Sequence, residues 1–329
     1  MPRERGKMSI KLDMPSIRQL AEDEGVGEKE VKSVLQDSLL QAYSKFPGAL
    51  PIARVEVDER GNLTIWGKAG EDEEEVDCTP EDFNRQSTKF VRSALRQLVR
   101  HMEDEKLFGS FLDRRGQLIT GTVQQDEGDG DNVHVAVGDT EALLPRREQT
   151  PGEEYFHGQR LRVYVVAVNR TQKGPEITVS RRHPNLVQLL FEKEVPEMAS
   201  GEVSIVKVAR EAGSRTKIAV ASRIPGFNAK GAFIGPGGSR VRSVVAELGG
   251  KEQIDIIDYS DEPDAYIANA LSPAKVERVD VLSREDRMAV AIVPNEDQLR
   301  LAIGGQGGQN ARLAARLTGW KIAIQTPAR

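Results

Sequence analysis

Between Met14 and Phe46, Val31, Val34, Leu35, Leu39 and Ala42 stand at i, i+3, i+4, i+8 and i+11. That spacing gathers them on one face of a helix. Gly25 and Gly27 divide the stretch into a short and a long helix. Residues 52–58 and 62–67 alternate or run apolar around Arg60-Gly61-Asn62, which predicts a hairpin. The run Glu71–Glu75 reads as a solvated acidic loop. In Thr79-Pro80-Glu81-Asp82, threonine suits the N-cap, proline N1 and an acid N3, so a helix is predicted from there to about His101. Phe90, Leu95, Leu98 and Val99 are expected to face inward, and residues 103–115 to form a charged, partly helical connector.

From Gln117 the texture changes to short strands: 118–123, 133–137, 142–145, 161–168 and 177–180. The acidic loop Asp126–Asp131 lacks the closing glutamate of a calcium loop, so it reads as a hairpin loop. Five short strands in this space suit a small barrel of the OB type. His183-Pro184 ends the strands and opens a helix from about Asn185 to Glu194. Two strands (203–210, 217–222), a short helix (229–234), a glycine loop, a helix (239–248) and a strand (254–259) follow. The same order then recurs: a helix (263–270), strands (276–282, 288–293), a helix from an Asn295–Gln298 capping box to about Ile303, a glycine loop, a helix (310–317) and a strand (321–325).

The glycine loops carry the candidate chemistry. The first lies in AFIGPGGSRVR (232–242), the second in LAIGGQGGQNAR (301–312). Without Cβ atoms, such a backbone can press close to phosphates, and the following helix offers free N–H groups and the positive end of its dipole. Neither loop ends in Gly-Lys-Ser/Thr, so neither is a Walker loop. Neither fits the dinucleotide spacing of a βαβ unit. A plain helix-to-helix turn with glycine caps would explain one copy, and two copies in matching contexts argue against it. A glycine-bounded loop between two helices is the backbone-gripping device of a KH domain, and this element order is its bacterial (type II) form.

Composition narrows the class. Asp+Glu exceed Lys+Arg by 51 to 46, so any nucleic-acid contact must rest on local patches rather than on a basic field. Aromatics make up 5%, too few for extensive base stacking on exposed rings. Cys78 stands alone, which fits a reducing compartment. His101, His134, His157 and His183 lack metal-ligand spacing, and no carboxylate cluster marks a catalytic centre. No cofactor, metal or catalytic residue is expected. The chain has no apolar run of membrane length and no signal peptide, and its first seven residues, MPRERGK, form a short basic tail.

The barrel phrases Gly121-Thr122-Val123, Ala142–Pro145, Gly158–Leu161 and Ile177–Arg181 resemble the S1 type. Tyr155, Phe156 and Tyr164 are the rings nearest its usual binding face. With Val208–Val220 (VAREAGSRTKIAV), Ile254–Tyr259, Ala268–Lys275 (ANALSPAK) and Gln309–Trp320 (QNARLAARLTGW), the chain resembles the NusA family of bacterial transcription elongation factors over essentially its whole length. The resemblance implies a multidomain α+β protein: an α/β N-terminal RNA polymerase-binding domain (1–112), an S1-type OB β-barrel (113–182) and tandem KH domains (183–259, 260–329). It implies a cytoplasmic monomer, not an enzyme, that docks on RNA polymerase, holds nascent single-stranded RNA, meets other antitermination factors and modulates pausing, intrinsic termination and antitermination. The chain stops after the second KH domain, without the acidic repeats of some relatives. A ribosome- or RNA-processing-associated S1/KH module without polymerase contact is the alternative.

The expected RNA contacts are the loop amides of Gly235, Pro236, Gly237 and Gly238 and of the second loop, Gly304, Gly305, Gln306, Gly307 and Gly308. Lys230, Arg240, Arg242, Arg312 and Arg316 supply charge, with a solvated helix face as the plainer role of each. Gln309 and Asn310 complete the second motif; Ile234 and Ile303 line a base groove or belong to the core. The family carries Ile-Gly-x-x-Gly-Gln-Asn in its second loop. Here one extra residue separates Ile303 from Gln309, so the gripping tetrad is 304–307 or, keeping the spacing to the next helix, 305–308.

Overall fold

A computed structural model describes residues 10–11, 15, 19, 22, 27–58, 61–80, 83–124, 131–171, 174–305 and 307–327. The tail MPRERGK and most of the 126–131 loop lie outside them. The chain divides into two compact units: Met1–Ser110 with Gln172–Pro175, and Phe111–Thr171 with Glu176–Arg329.

In the first unit, helix α1 (Glu28–Tyr43) lays Val31, Leu35, Leu39 and Ala42 on Val55, Val57, Leu63 and Ile65 of a small sheet. Strand β3 (Asn62–Lys68) is its centre and pairs with β1 (Ile10–Lys11), β2 (Ile52–Val57) and β4 (Val76–Asp77). The next helix departs from expectation. Helix α2 spans Phe83–Leu112 without a break, and the predicted connector is its continuation. The Thr79 hydroxyl accepts from Ile65 N and donates to Asp77, so it ties the sheet; the amides of Glu81 and Asp82, which it was expected to cap, lie outside the described residues. Val99 is half-buried, while the side chains of Phe90, Leu95 and Leu98 lie outside the described set.

The second unit starts with a closed barrel of β5 (Leu118–Gln124), β6 (Val133–Val137), β7 (Thr140–Leu144), β9 (Gly174–Ser180) and β8 (Arg160–Thr171), in that order round the wall. Gly121 is needed where strands press together: a Cβ there would stand 2.5 Å from Val135 Cγ1 and 2.6 Å from the Ala136 carbonyl. Two of the three rings proposed for a binding face are otherwise engaged. Tyr164 is buried and stacks on His183 at 4.2 Å, and the Tyr155 hydroxyl bonds Thr150 N and Glu153. Phe156 is 63% exposed. Buried Arg181 leaves the barrel, ion-pairs with Glu153 and donates to the carbonyls of Arg162 and Glu247, so it joins the barrel to the repeat that follows.

The first repeat contains α3 (Pro184–Glu194), the short unanticipated α4 (Pro196–Ala199), β10 (Val203–Glu211), β11 (Arg215–Ser222), α5 (Ala229–Ile234), α6 (Ser239–Glu247) and β12 (Gln253–Asp258). The second contains α7 (Pro263–Ala270), β13 (Arg278–Ser283), β14 (Met288–Ile292), α8 (Glu296–Ile303), α9 (Gln309–Thr318) and β15 (Lys321–Gln325). Each sheet has three strands, with the last pair parallel. Asn295 caps α8 through Gln298 N, but the Gln298 side chain accepts from Lys275 N, so the box is not reciprocal.

The first sheet is buried on both faces. Ile218, Val220 and Ile256 pack with Phe191, Phe233 and Val244 of its own helices. Ala209, Ala219 and Ile257 pack with Tyr266, Ile267, Leu313, Ala314 and Leu317 from α7 and α9. Small residues let the second repeat's helices approach the first repeat's strands closely. The second sheet leaves Arg278, Asp280, Leu282, Met288 and Lys321 to solvent. The unit is therefore a stack of helices, sheet, helices, sheet.

Charged groups fix this stack. Glu252 is buried and accepts from Arg210, Thr216 and Gly213 N. Burial pushes its carboxyl up, but Arg210, Thr216 and the amide together hold it below the usual range. Lys217 Nζ, fully buried, donates to Asp255 and to the Ser272 carbonyl, and burial lowers its pKa. Glu211, at the end of β10, takes Arg312 Nε at 2.7 Å and Gln309 Nε2 at 2.9 Å from the second repeat. Hydrogen bonding from Arg312 brings its carboxyl down to about 2, against partial burial.

Both carboxyls titrate below their ordinary value of 4.5. A depressed pKa contributes stability above the unfolded value and loses it as pH falls through the folded one. Chemical denaturation of the full chain, followed by tryptophan fluorescence, should therefore show the contribution of these two carboxyls complete above about pH 5 and a decline in stability as pH falls from 4.5 toward 2. Glu211→Gln should flatten part of that decline, and an identical acid profile in the variant would contradict this assignment.

Candidate nucleic-acid interface

The first glycine loop is set by the ends of two helices. Asn228 caps α5 by accepting from Gly231 N. The helix stops at Gly235, whose φ of 74° only glycine adopts easily and whose N–H bonds the Gly231 carbonyl. Gly237 (φ 56°) and Gly238 (φ 78°) turn the chain in the left-handed region, and Gly238 becomes the N-cap of α6. The second loop repeats these steps: Gly304 ends α8 at φ 79°, and Gly308 in the left-handed region caps α9.

The glycines fall into two kinds. A Cβ on Gly235 would lie 2.5 Å from Arg240 Cγ, and one on Gly304 would lie 2.4 Å from Asn310 Cβ. These two let the following helix pack against the loop. Gly237 has nothing within 4 Å of such an atom, and Gly307 has only Arg312 Nη1 at 3.8 Å. These two face open space, where a ligand backbone can approach. Gly304 plays the part of Gly235, Gly307 and Gly308 the parts of Gly237 and Gly238. Five residues, Gly304–Gly308, separate α8 from α9, against four in the first loop, so both expected tetrads, 304–307 and 305–308, lie within it. Gln306 lies outside the described residues.

The arginines are more occupied than their sequence positions suggest. Arg240 Nη1 bonds both Glu197 oxygens and the Ala232 carbonyl. Arg242 Nη1 bonds the Gly237 carbonyl and Arg312 Nη1 the Gly307 carbonyl, each at 2.5 Å. This matched pair of contacts braces both loops from the helix behind them. Arg312 also grips Glu211, with Arg316 Nη2 3.5 Å from the same carboxylate. Lys230 is half-buried and has no ion pair or side-chain bond among the described residues.

Two expectations need correction, those for Asn310 and Gln309. Asn310 is fully buried and cannot meet RNA: its Nδ2 bonds the carbonyls of Leu271 and Ala302, tying α7, α8 and α9 together at the position Arg240 holds in the first repeat. Gln309 is directed at Glu211 and Ser214 of the first repeat. Ile234 packs against the first repeat's core, whereas Ile303 is 40% exposed. The sequence reading missed Glu211, Ser214, Arg215 and Arg300. With Gly305, Gln309 and Arg312, the last three border a cavity of about 440 Å³ between the β10–β11 turn and the second loop. The only sequence signal was that three of the four sit in or beside the distinctive VAREAGSRTK stretch.

What this arrangement can do is bind an extended anion by backbone amides and helix N-termini, twice. It offers no nucleophile–base pair, and no metal-holding group of His, Cys, Asp or Glu occurs among the described residues. No described helix is long and apolar enough to cross a membrane.

Comparison with known proteins agrees. Residues 181–259 match the model of the NusA-like first KH domain, and residues 263–329 that of the NusA-like second KH domain. The transcription termination/antitermination protein NusA of Mycobacterium tuberculosis is 46% identical over 327 residues, covering 96% of this chain and 93% of that protein. The proteins of the same name from Halalkalibacterium halodurans and Bacillus subtilis are 38% and 37% identical, covering 95% and 93% of this chain and 87% and 88% of their own lengths. The chain belongs to the NusA family of transcription termination/antitermination proteins.

Proposed function

We propose that this chain is a cytoplasmic, monomeric RNA-binding elongation factor that acts by binding alone. Residues 1–112 dock on RNA polymerase; the barrel (113–182), read as an S1 domain, and the KH domains (183–259 and 260–329) hold the emerging single-stranded transcript. Through that hold, and in company with other antitermination factors, it modulates pausing, intrinsic termination and antitermination. The observation that carries the RNA half is the repeated geometry of the two loops: open glycines at Gly237 and Gly307, each braced by an arginine at the same distance along the next helix. The polymerase half rests on the family name that the relatives share.

The contacts are the loop backbones of Gly235–Gly238 and Gly304–Gly308, with Lys230 and the outward edges of Arg242, Arg312 and Arg316 adding charge. A labelled single-stranded RNA titrated across a salt series should bind with a log–log slope of about 0.7 per phosphate neutralised. Gly237→Asp with Gly307→Asp should weaken binding at least about tenfold and reduce that slope, because each carboxylate is set where a phosphate would lie. Both sites have room for the side chain, and aspartate is among the residues that visit a left-handed backbone, so each substitution should cost about 1–2 kcal/mol of stability and leave the chain folded, which its unfolding curve checks. Unaltered affinity would reduce the loops to structural turns.

The alternative, an S1/KH module serving the ribosome or RNA processing, differs in its partner. Immobilised core RNA polymerase should retain the wild-type chain and the double loop variant equally. Failure of both to bind polymerase would favour the alternative.

A further inference from the structure

The second glycine loop differs from the first in what neutralises it. Arg240 of the first KH domain is paired within its own domain, by Glu197. Arg312 of the second is paired across the seam, by Glu211 of the first domain, 101 positions away. Glu211 takes Arg312 through Nε at 2.7 Å and Nη2 at 3.1 Å, and takes Gln309 Nε2 at 2.9 Å. Arg316 stands 3.5 Å off. A fork of two guanidinium donors and an amide on two oxygens is also how a protein holds a phosphodiester.

The surroundings are built for an anion. The cavity beside the pair measures about 440 Å³, room for one nucleotide, and three arginines border it: Arg215, Arg300 and Arg312. Arg215 is matched by Asp255 and Arg312 by Glu211. Arg300 is exposed and has no ion pair among the described residues. The Gly304–Gly305 backbone forms the remaining wall. Removing the Glu211 charge would leave the cavity with a surplus of cations.

We propose that this seam cavity is a phosphate subsite for one nucleotide of the bound strand and that Glu211 is its resident counter-anion, which an RNA phosphate must displace from Arg312 and Gln309. The inference rests on the RNA-binding reading above. Its consequence is a link between the KH domains: the second loop's donors are released only at the expense of a contact with the first domain. The carboxylate also raises the threshold for weak anions, since only a ligand anchored elsewhere on the chain supplies a phosphate at high local concentration.

The test uses the full chain, the labelled single-stranded RNA and the salt series described above. Glu211→Gln keeps the shape, removes the charge and leaves one acceptor oxygen for Arg312 and Gln309 in place of two. It should tighten binding about three- to tenfold and steepen the salt slope by about 0.7, the value for one added phosphate contact. In an Arg312→Gln background the gain should vanish, because the counter-anion then has no donor to release. Arg300→Gln should weaken binding severalfold. Asp280→Asn, on the solvent face of the second sheet, controls for general loss of negative charge. Weaker or equal binding by Glu211→Gln, or an equal gain from Asp280→Asn, would overturn the subsite and leave Glu211 as an interdomain brace. Wild-type affinity in the Gly237→Asp/Gly307→Asp protein would instead overturn the loop reading on which it rests.

Discussion

The back of the first KH sheet is the surface on which the rest of this molecule's second unit depends. A three-stranded sheet with one covered face needs a polar outer side. Here the outer side of β10 and β11 carries Ala209 and Ala219 instead, and α7 and α9 lie on it with Leu313, Ala314 and Leu317. Burial of that apolar surface, with the buried Lys217–Asp255 pair and its reach to the Ser272 carbonyl, sets the second domain on the first in one register. The second sheet has no such cover, and Arg278, Asp280 and Lys321 close the stack. Since α9 both packs on the seam and carries the second glycine loop at its N-terminus, the spacing between the loops follows from core packing.

The loops themselves show one motif serving two tasks. Gly235 and Gly304 exist for packing, because the next helix leaves no room for a Cβ. Gly237 and Gly307 exist for access. The extra residue of the second loop falls between these tasks, and the helix caps on either side are unchanged. The arginines that decorate the loops serve them partly from behind, bonding carbonyls and acids, so the proposed anion binding rests more on the backbone than charge counting implies.

Much of this was legible in the sequence. The strand-rich barrel, the twice-repeated element order and the glycine loops all arise from local signals: alternation, helical spacing and Asn295 as a cap. What was not legible depends on distant partners. Thr79, expected as a helix cap, also takes Ile65 N and Asp77 as partners in the sheet. Asn310 looked like a ligand residue, yet it ties three helix ends inside the core. Glu211 is the partner of Arg312, which no local pattern foretells. Charged side chains choose among many possible partners, and the choice is made by tertiary packing.

The central claim is that both glycine loops hold RNA through their backbone. The most direct measurement is the amide spectrum of the full chain, isotope-labelled at glycine, recorded while single-stranded RNA is added and its binding is followed in parallel. The account predicts that the amides of Gly237, Gly238, Gly307 and Gly308 shift together and saturate with the binding curve. Saturated binding with all four amides unmoved would contradict it.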